Sequence, residues 1–384
     1  MVSLISLADR VISSGSTVRP VWLRKRLFSW LFSLYSYMSR LKAVAFQFRL
    51  PVYVVSGVEK TSGEKIRILF VGRETFPLYL IELLFSSTPH VEQVGVVFVW
   101  RLKHLARLFP CDVDAVLVSC DRFYQRWLLN VGLFVFPHMV DMVLDVSDSF
   151  DVFYKKSNNS AKSDMKKVDK QGYSYEVFSD VDRLRFFYDR MYLPLIASRY
   201  ADAPVFRPPF LFFKWLHLIG YRLLLVKDET GEYVSGCYFH VKGDLGSLRY
   251  NGVIDGDLGL IRKGVESAIY CFFIVHAKDQ TLNVLDFGGV RPFFNDGLFF
   301  YKRKWGMTVE HSDLVKEIFG VRLVNGSGPL KQFLIRNPFI GITSKNELVG
   351  FVFVDAKTFT DALGNEFEKR YRTSGVNGVR FIEV

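Results

Sequence analysis

The stretch Leu285-Asp-Phe-Gly-Gly-Val-Arg-Pro-Phe-Phe-Asn-Asp-Gly-Leu-Phe-Phe-Tyr-Lys-Arg-Lys-Trp-Gly306 decides the fold of this 384-residue chain. Residues 283–287 predict a buried strand, and the Gly288-Gly289 pair permits a tight turn behind it. Asp296-Gly297 then begins a run with Tyr301 and three consecutive basic residues, which predicts a basic, aromatic helix. A strand end, a glycine turn and a helix therefore lie within one short segment where chemistry can take place.

The preceding residues predict an alternation of strands and helices. A charged run ends at Gly172, a typical helix C-cap. Turn residues at 228–231 and 243–246 separate apolar runs and predict an antiparallel meander. The strands are predicted at 173–178, 223–227, 234–242 and 248–253, and the helices at 155–171, 186–194 and 262–279.

The remainder of the chain also favours an α/β fold. Strands are predicted at 66–71, 91–99 and 115–119, with amphipathic segments at 76–85 and 101–109. No glycine-rich phosphate loop follows Gly72, which argues against nucleotide binding. Beyond Gly306, strands are predicted at 320–324, 350–355 and 379–384, with a helix at 356–370. The sequence leaves open whether they complete the sheet of a first domain.

Composition excludes a disordered chain. Hydrophobic residues make up 49% and aromatic residues 16% of the sequence, enough to bury large cores. The four cysteines, Cys111, Cys120, Cys237 and Cys271, are scattered in apolar stretches without Cys-x-x-Cys spacing. Buried reduced thiols are therefore expected, with neither a disulfide framework nor a zinc site.

The formal charge of +11 predicts an anionic partner, and the basic residues are concentrated near the N-terminus. No acidic residue lies between Asp9 and Glu59, and residues 19–42 alternate Arg and Lys with apolar residues at helical spacing. This segment either lies in an anionic membrane interface or docks on the protein body. Its apolar runs are interrupted by Arg and Lys and are too short to span a bilayer. Residues 1–18 lack the pattern of a secretory signal. We expect a cytoplasmic protein, which associates with a membrane in the first of these two interpretations and not in the second.

The region from Lys155 to Gly306 resembles the FemAB-like branch of the GNAT acyltransferases. The resemblance is carried by the helix ending at Gly172, the Tyr192-Leu-Pro194 element, and the Asp286-Phe-Gly turn followed by the helix to Trp305-Gly306. It implies an α/β (α+β), tandem GNAT-like fold with a mixed, mostly antiparallel sheet in the second domain. The first domain is then a degenerate copy or a separate α/β layer. The predicted divisions are a basic segment at 1–59, a first domain at 60–150, the GNAT-like domain at 151–312 and an extension at 313–384.

The resemblance implies transfer of an acyl group from a thioester to an amine or hydroxyl of a cell-envelope or polysaccharide precursor. Acyl-CoA, such as acetyl-CoA, is the first expected donor, with no metal. Aminoacyl-tRNA is the second, and nucleic acid is expected as a partner in that case alone. A heptad-like insertion typical of the tRNA-dependent members is missing between Lys214 and Gly306, which favours CoA. A non-catalytic scaffold on a GNAT frame is the alternative from another class.

The resemblance also implies site residues. The loop before the helix at 262–279 would hold the CoA pyrophosphate through Gly259, Arg262, Lys263 and Gly264, although the usual glycine spacing is missing. Lys302, in the basic helix, is a further candidate for binding phosphate. A helix start with solvated basic side chains explains the same pattern.

The catalytic candidates are Tyr301, Asp286 and His240. Tyr301 would return a proton to the leaving thiolate, or else belong to an aromatic core cluster. Asp286 and His240 are candidates for the general base, and His240 alternates with apolar neighbours in the manner of a structural histidine.

Four further residues are expected to bind the acceptor. Tyr192 belongs to the Tyr-x-Pro element, and in the resembling family the helix that holds this element borders the acceptor cleft. Arg199 and Arg291 would bind an anionic acceptor through bidentate contacts, with Asp296 beside them. The alternative for both arginines is pairing with nearby aspartates.

Overall fold

The structure is a computed structural model that describes residues 38, 48–72, 76–104, 112–199, 208–324 and 328–384. The described strands are β1 Arg49–Val58, β2 Lys65–Val71, β3 His90–Phe98, β4 Ala115–Asp121, β5 Phe134–Pro137, β6 Val140–Asp145, β7 Ser174–Phe178, β8 Arg222–Lys227, β9 Tyr233–Lys242, β10 Leu245–Val253, β11 Val284–Val290, β12 Thr308–His311, β13 Glu317–Leu323, β14 Phe339–Ile342, β15 Leu348–Val354 and β16 Val379–Glu383.

The described α-helices are α1 Leu78–Leu84, α2 Gln125–Asn130, α3 Phe150–Lys156, α4 Asn159–Lys170, α5 Val181–Phe187, α6 Leu193–Arg199, α7 Phe210–Leu218, α8 Leu258–Arg262, α9 Val265–Asp279, α10 Gly297–Arg303, α11 Pro329–Arg336 and α12 Asp361–Tyr371. Short 3₁₀ helices lie at Val99–His104, Arg122–Tyr124 and Ile254–Gly256, and a π-helical turn at Tyr188–Tyr192 joins α5 to α6.

The described chain forms two compact units, named here for their place in the sequence. The central unit comprises Val143–Gly288 and Lys304–Gly306. The flanking unit comprises Met38–Met142, Gly289–Arg303 and Met307–Val384. Segments that precede and follow the central unit in sequence thus share the flanking unit.

The flanking unit contains a six-stranded sheet in the order β3-β1-β2-β4-β13-β5. Strand β13 pairs antiparallel with both β4 and β5, so a C-terminal strand completes the sheet of the N-terminal part. Strands β14, β15 and β16 form a separate three-stranded sheet. The sequence left this choice open, and the pairing divides the three predicted C-terminal strands between two sheets.

The central unit carries strands β7 to β11 of a seven-stranded sheet, in the order β11-β10-β9-β8-β7. Neighbouring strands from β7 to β10 pair antiparallel, whereas β10 and β11 pair parallel. The predicted mixed, mostly antiparallel sheet and the α/β fold class are therefore confirmed. Helix α9 follows β10 and returns the chain to β11, which the parallel pairing requires.

Local sequence explains the ends of these elements. The side chain of Asn158 caps α4 by accepting a hydrogen bond from the Ala161 N–H at 2.9 Å. Gly172, with φ 62°, follows the end of α4 as predicted. Gly288 has φ 76°, so the turn after Asp286 needs glycine at position 288. Gly289 does not share this positive φ.

Each unit has its own aromatic core. In the central unit, the helices from α5 to α7 pack on the inner strands through Phe187, Tyr192, Phe213 and Tyr238. On the other face, Phe239 and Phe287 lie 5.3 and 5.8 Å from the Phe273 ring of α9. The flanking core is built around Phe70, Phe136, Phe319, Phe339 and Phe353.

Candidate active site

A row of polar side chains crosses the central sheet on one face. Strand pairing places His240 opposite Ser247 and Ser247 opposite Asp286, and directly paired residues point to the same face. Tyr221 directly precedes β8, and its ring stacks on His240 at 4.9 Å. Two of the predicted catalytic residues, His240 and Asp286, are therefore brought into one row by residues far apart in sequence.

The row lies where the parallel ladder ends. The last paired residues of β10 and β11 are Ser247 and Asp286. Strand β10 then shifts register against β9 between Leu248 and Tyr250, so Arg249 is the extra residue of a β-bulge. A bulge redirects a side chain relative to a regular strand. The bulge directs the Arg249 side chain toward the end of β11.

Arg249 connects the two ends of the row. Its guanidinium pairs with the Asp286 carboxylate at 2.7 Å and hydrogen-bonds the Tyr221 side chain. The other carboxylate oxygen of Asp286 accepts from the Gly288 N–H at 2.7 Å. The Asp286 side chain is 11% exposed, so its charge lies in a largely dry environment and depends on these two donors. This arrangement suits Asp286 better to holding Arg249 than to abstracting a proton.

His240 is half-buried and has the properties of a base. Burial lowers its pKa from the ordinary 6.5, and the nearby charges of Arg249 and Lys242 add to this. A hydrogen bond to the Ile219 carbonyl acts in the opposite direction but does not reverse the shift. The ring is therefore neutral at pH 7, and the nitrogen that does not donate to Ile219 keeps its lone pair.

Tyr221 is the phenol of the row. Burial raises its pKa, while the charge and hydrogen bond of Arg249 lower it to a smaller extent. The hydroxyl is protonated at neutral pH, and its oxygen accepts from Arg249. Its proton is thus available to a group that binds beside it.

Aromatic side chains flank the row on the same face. Tyr250 lies 4.9 Å from Phe213 and 5.6 Å from Tyr192 between ring centroids. Burial raises the pKa of Tyr250 to about 12. Tyr192, a predicted acceptor ligand, is 5% exposed, and burial raises its pKa too. The structure places it in the aromatic core beside the row, and its contact with an acceptor stays a prediction.

The predicted CoA loop has a built geometry of its own. Gly264, with φ 92°, is the N-cap of α9 and has no side chain to accept from the first turn. In the preceding helix α8, the Gly259 N–H donates a hydrogen bond to the Asp257 carboxylate at 2.6 Å. Arg262 and Lys263 are exposed at the end of the short α8. These four residues are neighbours in space, but no phosphate is needed to satisfy Gly259.

Carboxylates surround this loop. Asp255 forms two hydrogen bonds with Arg190, at 3.0 and 2.8 Å, and Glu266 in the first turn of α9 pairs with Arg199 at 2.7 Å. Arg199, a predicted acceptor ligand, is thus engaged in an ion pair. The Glu266 carboxylate, which lies in the first turn of α9, competes with a pyrophosphate for this helix N-terminus and for Arg199.

The other candidates belong to the flanking unit. Tyr301 is half-buried on α10, and Lys302 is 4% exposed with its Nζ 3.4 Å from the Gly289 carbonyl. Arg291 pairs with Glu82 at 3.0 Å and lies over the Tyr79 ring. Asp296 accepts from the N–H groups of Leu298 and Phe299 and so caps α10. Their predicted catalytic and binding roles stay predictions.

Sequence reasoning missed Tyr221, Ser247 and Arg249. Each follows or precedes a turn by a few residues and carries no motif. The alternation of apolar residues along β9 places His240 on one face of the strand. Only the register between strands shows which residues lie beside it. The bulge at Arg249 has no sequence signal that we recognise.

The described residues bear on metal binding, on thiol chemistry and on membrane-spanning helices. Among the described residues, no group of three or more His, Cys, Asp or Glu side chains is placed to hold a metal ion. The described cysteines, Cys120, Cys237 and Cys271, are buried thiols, and Cys111 lies outside the described residues. Every helix in the described ranges is too short or too polar to cross a bilayer. Residues 19–42 lie outside those ranges except for Met38, so their predicted membrane contact stays a prediction.

Comparison with known proteins gives likeness in structure alone. No protein-family model matches the sequence, and no curated protein matches it. Solved structures that resemble the chain include FemX, at 13% identity over 76% of this chain and 92% of that one, with a TM-score of 0.38. They also include L-PGS from Bacillus licheniformis, at 14% identity, 72% and 86% coverage and a TM-score of 0.35.

A tandem GNAT protein from the clavulanic acid biosynthesis pathway is similar at 9% identity over 70% of this chain and 82% of that one, with a TM-score of 0.31. The structures similar to this chain thus include FemX and GNAT proteins, the resemblance predicted from the sequence.

Proposed function

We propose that this protein is an acyl- or aminoacyl-transferase and that its chemistry takes place at the polar row of the central unit. The observation that carries the proposal is the convergence of a neutral histidine, a protonated tyrosine and a paired arginine at the end of a parallel ladder. Acyl transfer needs a base for the acceptor, a cation or N–H group for the oxyanion and an acid for the leaving group. The row supplies one of each.

His240 acts first, on the acceptor. An amine or hydroxyl loses its proton to the free ring nitrogen of His240 as it attacks the acyl carbonyl. The bond from the ring to the Ile219 carbonyl holds the imidazole in the tautomer that can accept. A new C–N or C–O bond forms, and the carbonyl electrons move onto the oxygen.

Arg249 and Tyr221 act on the charges that follow. Arg249, fixed by Asp286, stabilises the oxyanion of the tetrahedral intermediate. The oxyanion electrons then re-form the C=O bond and the C–S or C–O bond to the donor breaks. The Tyr221 hydroxyl gives its proton to the departing sulfur or oxygen. The proton held by His240 is then returned to Tyr221 through solvent, which balances the cycle.

Acyl-CoA is the first donor proposed, and aminoacyl-tRNA is the second. Gly264 at the start of α9 supports a phosphate contact, whereas Asp257 and the Glu266–Arg199 pair oppose one. These carboxylates are the specific reason to keep the aminoacyl donor and the non-catalytic scaffold as alternatives. The acceptor class that we propose, an amine or hydroxyl of an envelope or polysaccharide precursor, rests on the sequence resemblance.

The first test is calorimetric titration with acetyl-CoA, followed by acetyl transfer to a panel of amines and amino sugars, with aminoacyl-tRNA as the second donor. Turnover with either donor supports the proposal. Binding without turnover, or neither, supports a scaffold and overturns the enzyme assignment.

The second test assigns the chemistry to the row. Tyr221→Phe and His240→Gln should each lower turnover by about 10²-fold or more, with donor affinity nearly unchanged. Tyr175→Phe is the matched control, because Tyr175 also has a pKa raised by burial and loses one hydroxyl, but bonds Asp279 instead of the row. Since the pKa of His240 is lowered, turnover should be flat above pH 6.5 and fall on acidification below it. Full activity of both row variants would remove the row from the mechanism.

A further inference from the structure

The flanking unit displays a continuous set of exposed aromatic rings, which we call the aromatic patch: Phe48, Phe98, Trp100 and Phe123. Their exposed fractions are 46%, 42%, 45% and 68%. Exposed large aromatic side chains that cluster on a surface usually mark a binding site.

Ring contacts show that the patch is contiguous. Phe98 stacks on Trp100 with centroids 4.8 Å apart, and Trp100 lies 6.1 Å from Phe48. Phe48 and Phe123 both contact the buried ring of Tyr124, at 6.3 and 5.1 Å. Three separate chain segments thus contribute to one surface.

The patch extends at both ends. Trp127, 46% exposed, follows Phe123 by four residues, so it projects from the same side of that helical segment. Val96, 38% exposed, precedes Phe98 by two residues along β3, so it shares the face of Phe98. An apolar strip therefore runs from β3 to the helix of Trp127.

Positive charge surrounds the patch. The exposed cations in its three segments are Arg49, Arg101, Lys103 and Arg126. Among the described residues, none of the ion pairs engages these four side chains. Residues 93–111 and 122–140 contain no Asp or Glu, and neither do residues 10–58.

We propose that the aromatic patch docks the flanking unit onto an anionic lipid surface. Aromatic rings enter the interface between headgroups and acyl chains, while Arg and Lys at the rim attract anionic headgroups. Charge decides between the possible occupants. A second copy of the chain, or its own basic N-terminal segment, would bring positive charge onto a positive surface, whereas anionic lipid neutralises it. The proposal is independent of the proposed acyl transfer.

The experiment is co-sedimentation of the full chain with vesicles of phosphatidylglycerol and phosphatidylcholine, compared with phosphatidylcholine alone, over a series of salt concentrations. We expect binding to the anionic vesicles that weakens as salt rises. Arg101→Gln with Lys103→Gln should lower the partition coefficient by up to about 30-fold at low salt. Trp100→Ser with Phe123→Ser should lower it at every salt concentration. Because all four side chains are exposed, each variant should keep the circular dichroism spectrum and melting temperature of the wild type.

Phe300→Ser is the matched control, since Phe300 is an exposed phenylalanine of the same unit, 58% exposed, and belongs to another helix. It should bind as the wild type does. Brominated lipids give a direct readout, because quenching of tryptophan fluorescence should fall in Trp100→Phe if that ring enters the bilayer. The proposal is overturned if the wild type, the Arg101→Gln/Lys103→Gln variant and the Trp100→Ser/Phe123→Ser variant all bind equally. This holds both where the N-terminal segment binds the vesicles and where that segment covers the patch. A concentration-dependent dimer that both patch variants abolish, without vesicle binding, also overturns it.

Discussion

The two units each place a carboxylate, a histidine and a tyrosine together, but they use them differently. In the central unit, Asp286 pairs with an arginine, and His240 and Tyr221 stand half-buried at the end of a ladder. In the flanking unit, Glu317 bonds His138 at 2.9 Å and also accepts from Ser119. The difference lies in what surrounds the groups rather than in which residues are present.

The flanking cluster is enclosed by rings. His138 lies 5.3 Å from both Tyr79 and Phe319, and the Tyr79 hydroxyl is buried without a hydrogen-bond partner among the described residues. The central row pairs its carboxylate with an arginine, whereas the flanking cluster pairs it with the histidine itself. Exposure does not separate the two, since His138 and Glu317 are 27% and 25% exposed against 20% and 11% for Arg249 and Asp286. The comparison teaches that the partner of the carboxylate decides what the histidine can do: Arg249 occupies Asp286 and leaves a ring nitrogen of His240 with its lone pair, whereas Glu317 occupies His138.

Removing Arg249 should have the largest effect. Arg249→Met leaves the buried Asp286 charge with only the Gly288 N–H, and we expect the free energy of unfolding of the central unit to fall by about 3 kcal/mol. Chemical denaturation measures it. Arg190→Met is the control, because the Arg190–Asp255 pair has bidentate geometry but lies in water, and its loss should matter far less. Equal losses would mean that the row is as open to solvent as the surface.

Removing the Glu317 charge should cost less and should depend on pH. Burial raises the pKa of Glu317, but hydrogen bonds from His138 and Ser119 outweigh it, so the pKa is lowered from 4.5. Glu317→Gln should destabilise the flanking unit by about 2 kcal/mol at pH 7. For a lowered carboxyl pKa, the stabilisation is complete above pH 4.5 and is lost as pH falls through the folded pKa. The difference between wild type and variant should therefore shrink in acid, and a difference that grows there would contradict the assignment.

The turn after Asp286 provides a smaller effect. Gly288→Ala forces a residue with a Cβ into φ 76°, which we expect to cost about 1 to 2 kcal/mol. Gly297→Ala is the control, since no atom lies within 4 Å of its added Cβ and its φ is not positive. Thermal melts should show a lower transition for the first variant and an unchanged or slightly higher one for the second. Equal melting temperatures would mean that the turn is not strained by a side chain.

The smallest effect concerns the buried hydroxyls of Tyr79 and Tyr238. Tyr79→Phe removes a hydroxyl without a partner, so the flanking unit should be unchanged or more stable by up to about 1 kcal/mol. Tyr238→Phe removes a bond to the Phe213 carbonyl of 3.2 Å and should destabilise the central unit by about 1 kcal/mol. The denaturant midpoint should therefore stay the same or rise in Tyr79→Phe and fall in Tyr238→Phe. A loss of stability in Tyr79→Phe would reveal a partner such as a bound water.

Local sequence determined most of the elements of this protein. Periodicity and turn residues gave the meander from β8 to β10, the helix α9 and the strand of Asp286, because these patterns depend on neighbours along the chain. The glycine turn was also readable, although only backbone geometry distinguishes Gly288 from Gly289.

The tertiary structure alone decided the rest. It joined β13 to β4, placed His240, Ser247 and Asp286 in one row, and aimed Arg249 through a bulge. Register across strands depends on pairing between residues far apart in sequence, such as Ser247 with Asp286 and Asp121 with Glu317, and a shift of one residue would move each side chain to the other face. Phe48, Phe98 and Phe123 likewise became one surface through sheet order. The sequence thus determined which chemical groups are present, and long-range packing determined which of them meet.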